Sequence, residues 1–341
     1  MKITTYFICI GLCISALLQT SCGWVGGKTY SMASDTTISL EAREWSKKID
    51  QDPTNVEYLT QRAQVLSAEG RFDLAIVDYQ KASELEPQEV AHLYSMGDAY
   101  FANDQTTLAL QQYDEAERVN PNDVTAVFKR GQFLYFVRQF DLSKIVLGKL
   151  LVLNPQHSQG NFIMAMLQKE TGDTASAIEY FQKTIECLGS DYNSSMQLAL
   201  IYDKQGQDDL ALRYYGNAIN IDPTSDETHY SLGLFYQNRA KNLLAMKEYQ
   251  KAIDLNANHY LAYYNAGNIL ADDGNFTSAI DHFEICIRLK DDFAKAYGRI
   301  GQCFEMLKKN DLALQNYKNC LQIDPNIAYA KEGITRLGDF Q

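Results

Sequence analysis

The sequence predicts an all-α protein built from eight tandem 34-residue helix-turn-helix units, with a capping helix at each end. Three observations predict it. All six prolines stand on one ladder, at Pro53, Pro87, Pro121, Pro155, Pro223 and Pro325, and every step is a multiple of 34. With the closing proline placed at slot 32, repeats begin at Val56, Val90, Val124, Ser158, Tyr192, Asp226, Tyr260 and Ala294, and slot 8 is Gly or Ala in all eight. Slot 20 is Ala in every repeat but one, which has Ser143, and slot 24 is Tyr or Phe in every repeat but one, which has Leu147.

Taken in order, the chain opens with Lys2 and an apolar run from Ile3 to Leu18, and small Ser21 precedes Cys22. The run is short for a membrane span and reads as a secretory signal. "GWVGGKTYSMASDTT" follows as a Gly/Ser/Thr-rich tether. The expected organisation is a signal peptide at 1–21, a modified Cys22 and flexible tether at 22–37, a capping helix at 38–55, the repeats at 56–325 and a second cap at 326–341. In the first cap, "SLEAREWSKKIDQDP" reads as a lone second helix with Trp45 at slot 24.

Within a unit the small residues at slots 8 and 20 let two helices approach closely, and the aromatic at slot 24 fills the space beside them. Slot 15 is Gly70, Gly172, Gly206 and Gly274 in four repeats, which suits a left-handed residue ending the first helix. Slot 18 offers Asp73, Thr107, Asp141, Asp209, Thr277 and Asp311 as caps for the second helix. Proline at slot 32 ends that helix, because the residue before proline avoids the helical region. After Pro325, Ala330, Ile334 and Leu337 share one helix face while Lys331, Glu332, Thr335, Arg336 and Asp339 point away, as a solvating cap requires.

Over residues 56–325 this pattern resembles the tetratricopeptide repeat family. The resemblance implies a right-handed α-solenoid of antiparallel helix pairs whose first helices line a concave face through slots 2, 5, 9, 12 and 13. Repeat four departs most, with Asn161 at slot 4 and Gln168 at slot 11, and a local irregularity is expected there. On the concave slots stand Tyr94, Phe101, Phe128, Tyr135, Phe136, Phe162, Met166, Leu200, Tyr230, Leu234 and Tyr264, an apolar and aromatic stripe that a partner segment would bury. Asp98, Glu170, Asp203 and Asp272 rim it, which suits an uncharged or basic peptide. The family's clamp for acidic C-terminal tails needs Lys at slot 5 and Asn at slot 9; slot 5 is never Lys here, so that clamp is absent.

"LQTSC" resembles the lipobox of bacterial lipoproteins, with Gln19 standing where Leu is usual. That resemblance implies lipidation of Cys22 and anchoring by several acyl chains. Gly23 after the cysteine resembles outer-membrane sorting, facing the periplasm.

Net charge is −12, which argues against nucleic acid and against electrostatic docking on an anionic membrane. The five histidines, from His92 to His282, occupy unrelated slots; there is no HExxH, GxSxG, P-loop or CxxC. No enzyme activity, metal or cofactor is therefore expected. Cys187, Cys286, Cys303 and Cys320 read as small hydrophobes, with a Cys286–Cys303 disulfide as the alternative in an exported protein. The functional expectation is a scaffold or adaptor that binds a peptide or helix of another envelope protein. A glycan- or nutrient-binding lipoprotein of an outer-membrane uptake system is the alternative, and self-association, with one molecule's cap in another's groove, is the third reading.

Overall fold

A computed structural model describes residues 32–338. Cys22 and the segment read as a secretory signal lie outside these residues, as does Asp339. Eighteen α-helices, and no strand, are found among the described residues. After a short turn at Met32–Ser34 comes α1 (Leu40–Gln51), and then eight helix pairs: α2 (Val56–Ala68) with α3 (Phe72–Leu85), α4 (Val90–Ala102) with α5 (Thr106–Val119), α6 (Val124–Phe136) with α7 (Phe140–Leu153), α8 (Ser158–Glu170) with α9 (Thr174–Leu188), α10 (Tyr192–Lys204) with α11 (Asp208–Ile221), α12 (Asp226–Gln237) with α13 (Asn242–Leu255), α14 (Tyr260–Asp272) with α15 (Phe276–Leu289), and α16 (Ala294–Met306) with α17 (Asn310–Ile323). The last helix is α18 (Ala328–Gly338). This is the tandem-pair architecture that the proline ladder predicts. The helices group into two compact units divided inside α6, between Lys129 and Arg130.

Close approach within each pair rests on slots 8, 20 and 24. The slot-20 residues, from Ala75 to Ala313, are fully buried. Ser143 is tolerated among them because its hydroxyl donates to the Gly131 carbonyl at 2.8 Å. Wherever slot 8 is glycine, a Cβ there would lie 2.5 to 2.8 Å from the slot-24 side chain of the same repeat. Real Cβ atoms do not approach that closely, so glycine is what lets Tyr113, Tyr249 or Tyr317 lie flat across its first helix. Slot 27 is buried as well: Ala82, Ala116, Ala218 and Ala252 share it with Cys286 and Cys320, which explains two of the cysteines as small core residues.

The turn inside each pair follows one rule. Slot 15 has positive φ in all eight repeats, at Gly70, Gly172, Gly206 and Gly274 and also at Asp104, Arg138, Ala240 and Lys308. The sequence expectation about slot 18 is corrected here. The second helix is entered through slot 16, and its first helical residue is slot 17, so Asp73, Thr107, Asp141, Asp209, Thr277 and Asp311 lie within the first turn. Acids there favour the helix N-terminus by charge, not as caps. Capping by side chain falls mostly to the residue preceding the first helix: Asn55, Glu89, Asp123, His157, Asp191, Ser225 and His259 each accept a backbone N–H, while Phe293 before the eighth does not, and among the second helices Asp173 caps α9 by accepting from Ser176 N.

At five of the repeats, ending in Asn120, Asn154, Asp222, Asn256 and Asp324, the joint is an Asx turn, on a proline in all but the Asn256–Ala257 case. Asp222 accepts from Thr224 N at 3.0 Å and Asp324 from Asn326 N at 2.9 Å, while both residues are extended as the following proline demands. Repeats one, four and seven have Glu86, Leu188 and Lys290 at that position, and repeat four departs furthest. Gly189, with φ +77°, ends α9, which runs one residue longer than its equivalents. α8 itself is regular: Asn161 donates to the Pro155 and His157 carbonyls, and Gln168 accepts from Lys144 Nζ at 3.1 Å. The irregularity therefore lies at the end of repeat four, not at Asn161 and Gln168.

The C-terminal cap follows the expected faces, and the N-terminal cap differs in detail. Ala330 and Leu337 of α18 are buried, while Lys331, Glu332, Thr335 and Arg336 are exposed. In α1 the buried residues are Ala42, Ser46 and Ile49, one position on from the register that places Trp45 in the core. Trp45 is half-buried under Lys48 Nζ, 3.9 Å from its ring. Residues 32–37, read as tether, are held against repeat one: Ile38 is buried beside Met32 and Ala63, and Arg71 donates to the Thr37 carbonyl at 3.2 Å.

Candidate protein-binding groove on the first-helix face

In four repeats slot 6 makes a polar contact to the first helix of the preceding repeat. Lys129 reaches Asp98 at 2.6 Å, Gln197 accepts from Lys169 at 2.6 Å, Asn265 donates to Tyr230 at 3.2 Å and Arg299 reaches Asp272 at 2.9 Å. In repeat four slot 6 is Ile163, which has no polar group to offer. Here the face opens into a cavity of about 350 Å³, with Tyr135, Phe136, Phe162, Ile163 and Met166 in its lining. Phe136 is 55% exposed and Leu188 is 53% exposed, so the apolar lip reaches solvent. Phe162 rests edge-on against Phe181, ring centroids 5.7 Å apart, which fixes the floor.

Four of the residues singled out in the sequence thus meet at one place: Tyr135, Phe136, Phe162 and Met166. Leu200 is exposed elsewhere on α10, and Leu234 is half-buried on α12. Tyr230 lies on the His259 ring at 4.6 Å, and Tyr264 packs edge-on to Phe293 at 5.0 Å, so both are spent on contacts inside the chain. Tyr94 and Phe101, in the first unit, are half-buried. Phe128 is a correction. It is 6% exposed and belongs to the core, as does Met196 at the same slot.

The acidic rim also changes in meaning. Asp98 accepts from Tyr113 and Lys129, Asp203 pairs with Arg239 at 2.8 Å, and Asp272 pairs with Arg299. Three of the four rim carboxylates are therefore neutralised within the chain, and Glu170 is the exposed one left. Burial pushes the Tyr135 hydroxyl pKa up, with Glu170 adding to it and Arg138 opposing it. Tyr135 is a neutral donor at the groove edge.

Sequence reasoning missed Gln132, Gln159 and Asn193, whose amides line the same cavity, and Leu188 from α9. The amides occupy slots 9 and 2, already assigned to this face, but an apolar search passes over them. For Leu188 the signal is the missing Asx–Pro joint: it is the one aliphatic residue at slot 31. Amides beside apolar walls can pair with a peptide backbone while the walls take a side chain.

This fold and this face define a tandem-repeat scaffold for protein interaction. Models of the tetratricopeptide repeat match residues 94–139, 161–186, 230–292 and 294–327, and a TPR repeat model matches 63–104 and 199–238. The chain belongs to the tetratricopeptide repeat family, a family of scaffolds that bind protein partners. No curated protein matches it in sequence. Among solved structures it is similar to the C-terminal part of a TPR repeat-containing protein from Cytophaga hutchinsonii, at 20% identity and TM-score 0.61, over 71% of this chain and 99% of that one. It is also similar to the MamA protein, at 25% identity and TM-score 0.45 over 50% of this chain and 93% of that one. A third likeness is to the Cut9–Hcn1 hetero-tetramer of the APC/C, at 17% identity and TM-score 0.49 over 85% of this chain and 57% of that one.

Proposed function

We propose that this protein is a non-enzymatic adaptor, anchored through a lipid on Cys22 to the bacterial outer membrane and facing the periplasm, that holds a peptide or helix of another envelope protein. The groove between α6 and α8 is the proposed seat. The observation that carries the reading is the apolar site at Phe136, Phe162 and Met166, placed at the one repeat whose slot 6 is apolar, Ile163. Filling it with one Leu- or Phe-sized side chain is worth about 1.5–3 kcal/mol. With most rim acids already paired, an uncharged anchor suits the site best. The amides of Gln132, Gln159 and Asn193 would meet the partner's backbone.

Tethering would raise the partner's effective concentration at the membrane. The lipid rests on "LQTSC" and is tested separately. Wild type should label with palmitate and fractionate with membranes, and Cys22→Ala should do neither; label in the variant would remove the anchor from the account. For the groove, a photo-crosslinking residue at position 136 in cells should capture a defined protein that the same residue at position 315 does not. Identical captures at both positions would contradict the groove.

A further inference from the structure

The repeat register makes each unit a control for the others. Slots 22, 25 and 29 lie on the outer side of the second helix. Slot 29 is charged or an amide in seven repeats, from Glu84 to Gln322, but is Val152 in repeat three. Val152 is 82% exposed, and Ile145, two turns earlier at slot 22, is 68% exposed. Between them stands Gly148, in mid-helix, where a Cβ would meet nothing within 4 Å. Glycine is unfavourable in a helix interior, and no neighbour in the fold demands this one; repeat five has Gly216 at the same slot, but between Arg213 and Asn220, so only repeat three sets it between two apolar residues. It borders a cleft of about 380 Å³ between α7 and α9, whose apolar lining includes Leu151, Val152, Pro155 and Tyr180.

The charge at this cleft has a sign. Lys183 is tied to Glu179 at 2.7 Å, and Lys149 is engaged within the chain. Glu186, exposed on the cleft wall, makes no ion pair among the described residues. From this we infer that the outer face of repeats three and four is a second docking surface, which takes a cationic amphipathic helix of another protein. The helix packs its apolar row over Ile145, Gly148 and Val152 and sets a Lys or Arg against Glu186. The net charge of −12 steers such a helix toward the chain. This surface is separate from the groove and does not rest on it.

The test uses the purified chain, a fluorescent Leu–Lys amphipathic helix and a Leu–Glu helix with the same apolar row. The variant is Ile145→Gln, Gly148→Gln, Val152→Gln. Sister repeats carry glutamine at each of these slots, as Gln111, Gln182 and Gln322, so the fold accepts it and the charge is unchanged. Fluorescence anisotropy should show the Leu–Lys helix binding wild type about tenfold more tightly than the variant. The Leu–Glu helix should bind neither. Glu186→Gln should weaken binding and flatten its salt dependence, while Phe136→Ser should leave it unchanged. Val152→Gln alone should move in the same direction if the triple variant loses helicity. Equal binding by wild type and variant, or equal binding of the two helices, overturns the proposal. So does a dimer in sedimentation that only the variant loses, which makes the occupant a second copy, or flotation with anionic vesicles that only the variant loses, which makes it a bilayer.

Discussion

The Cβ position of Gly233 lies 2.5 Å from Cε1 of Tyr249, the tightest of the slot-8 contacts with slot 24. Gly233→Ala would force the buried Tyr249 ring off its seat, where its hydroxyl donates to Gln237. Overpacking costs about 1–3 kcal/mol, of which helix propensity returns up to about 1. Urea unfolding should show net destabilisation. Gly216→Ala, where the Cβ meets nothing within 4 Å, should instead stabilise by about 0.5–1 kcal/mol.

Ala240 sits at slot 15 with φ +54°. A side chain in the left-handed region costs about 1–2 kcal/mol, so Ala240→Gly should raise the unfolding midpoint. Gly206→Ala, at φ +70°, should lower it. If the two variants moved together, the turn would not be governed by φ.

Arg62 and Asp78 form a buried bidentate pair at 2.6 and 2.7 Å, with Ser46 accepting a third guanidinium bond. Asp78→Ala leaves the guanidinium uncompensated and should cost about 3–5 kcal/mol. The double variant Arg62→Met, Asp78→Leu should recover most of that loss in thermal unfolding, since no buried charge remains.

Burial pushes the Cys286 thiol up to about 12 and the Cys303 and Cys320 thiols up to about 11. All three are free, as is half-buried Cys187, whose Sγ lies 3.0 Å from Gln156 Oε1. Iodoacetamide at pH 8 should therefore modify Cys187 first in the folded chain, and the other three only after unfolding. A raised folded pKa means the native thiol keeps a proton that the unfolded one releases. Stability from these groups is thus complete below about pH 9 and falls as pH rises toward 11–12. Stability rising over that window would contradict the assignment.

Much of this fold was legible because a strict 34-residue period compares each residue with seven others. Gly233 and Tyr249 are identifiable as partners from their slots alone. What escaped depends on geometry at joints. The caps assigned to slot 18 failed because left-handed slot 15 starts the next helix at slot 17, a shift no composition rule contains. Phe128 and Phe162 share slot 5, yet one is in the core and the other lines the groove. The difference lies in how neighbouring helices cover each site. Leu188 joined the groove because α9 runs one residue further than its equivalents and closes on left-handed Gly189.

The central claim is that Phe136, Phe162 and Met166 seat a partner. The most direct measurement is detergent co-purification from native envelopes, read by mass spectrometry, comparing wild type with Phe136→Ser and with Phe162→Ala, Met166→Ala. The account predicts one or a few envelope proteins recovered with wild type and lost from both variants, with helicity unchanged in Phe136→Ser because that residue is 55% exposed. Identical recoveries from all three would contradict it and return the stripe to ordinary helix surface.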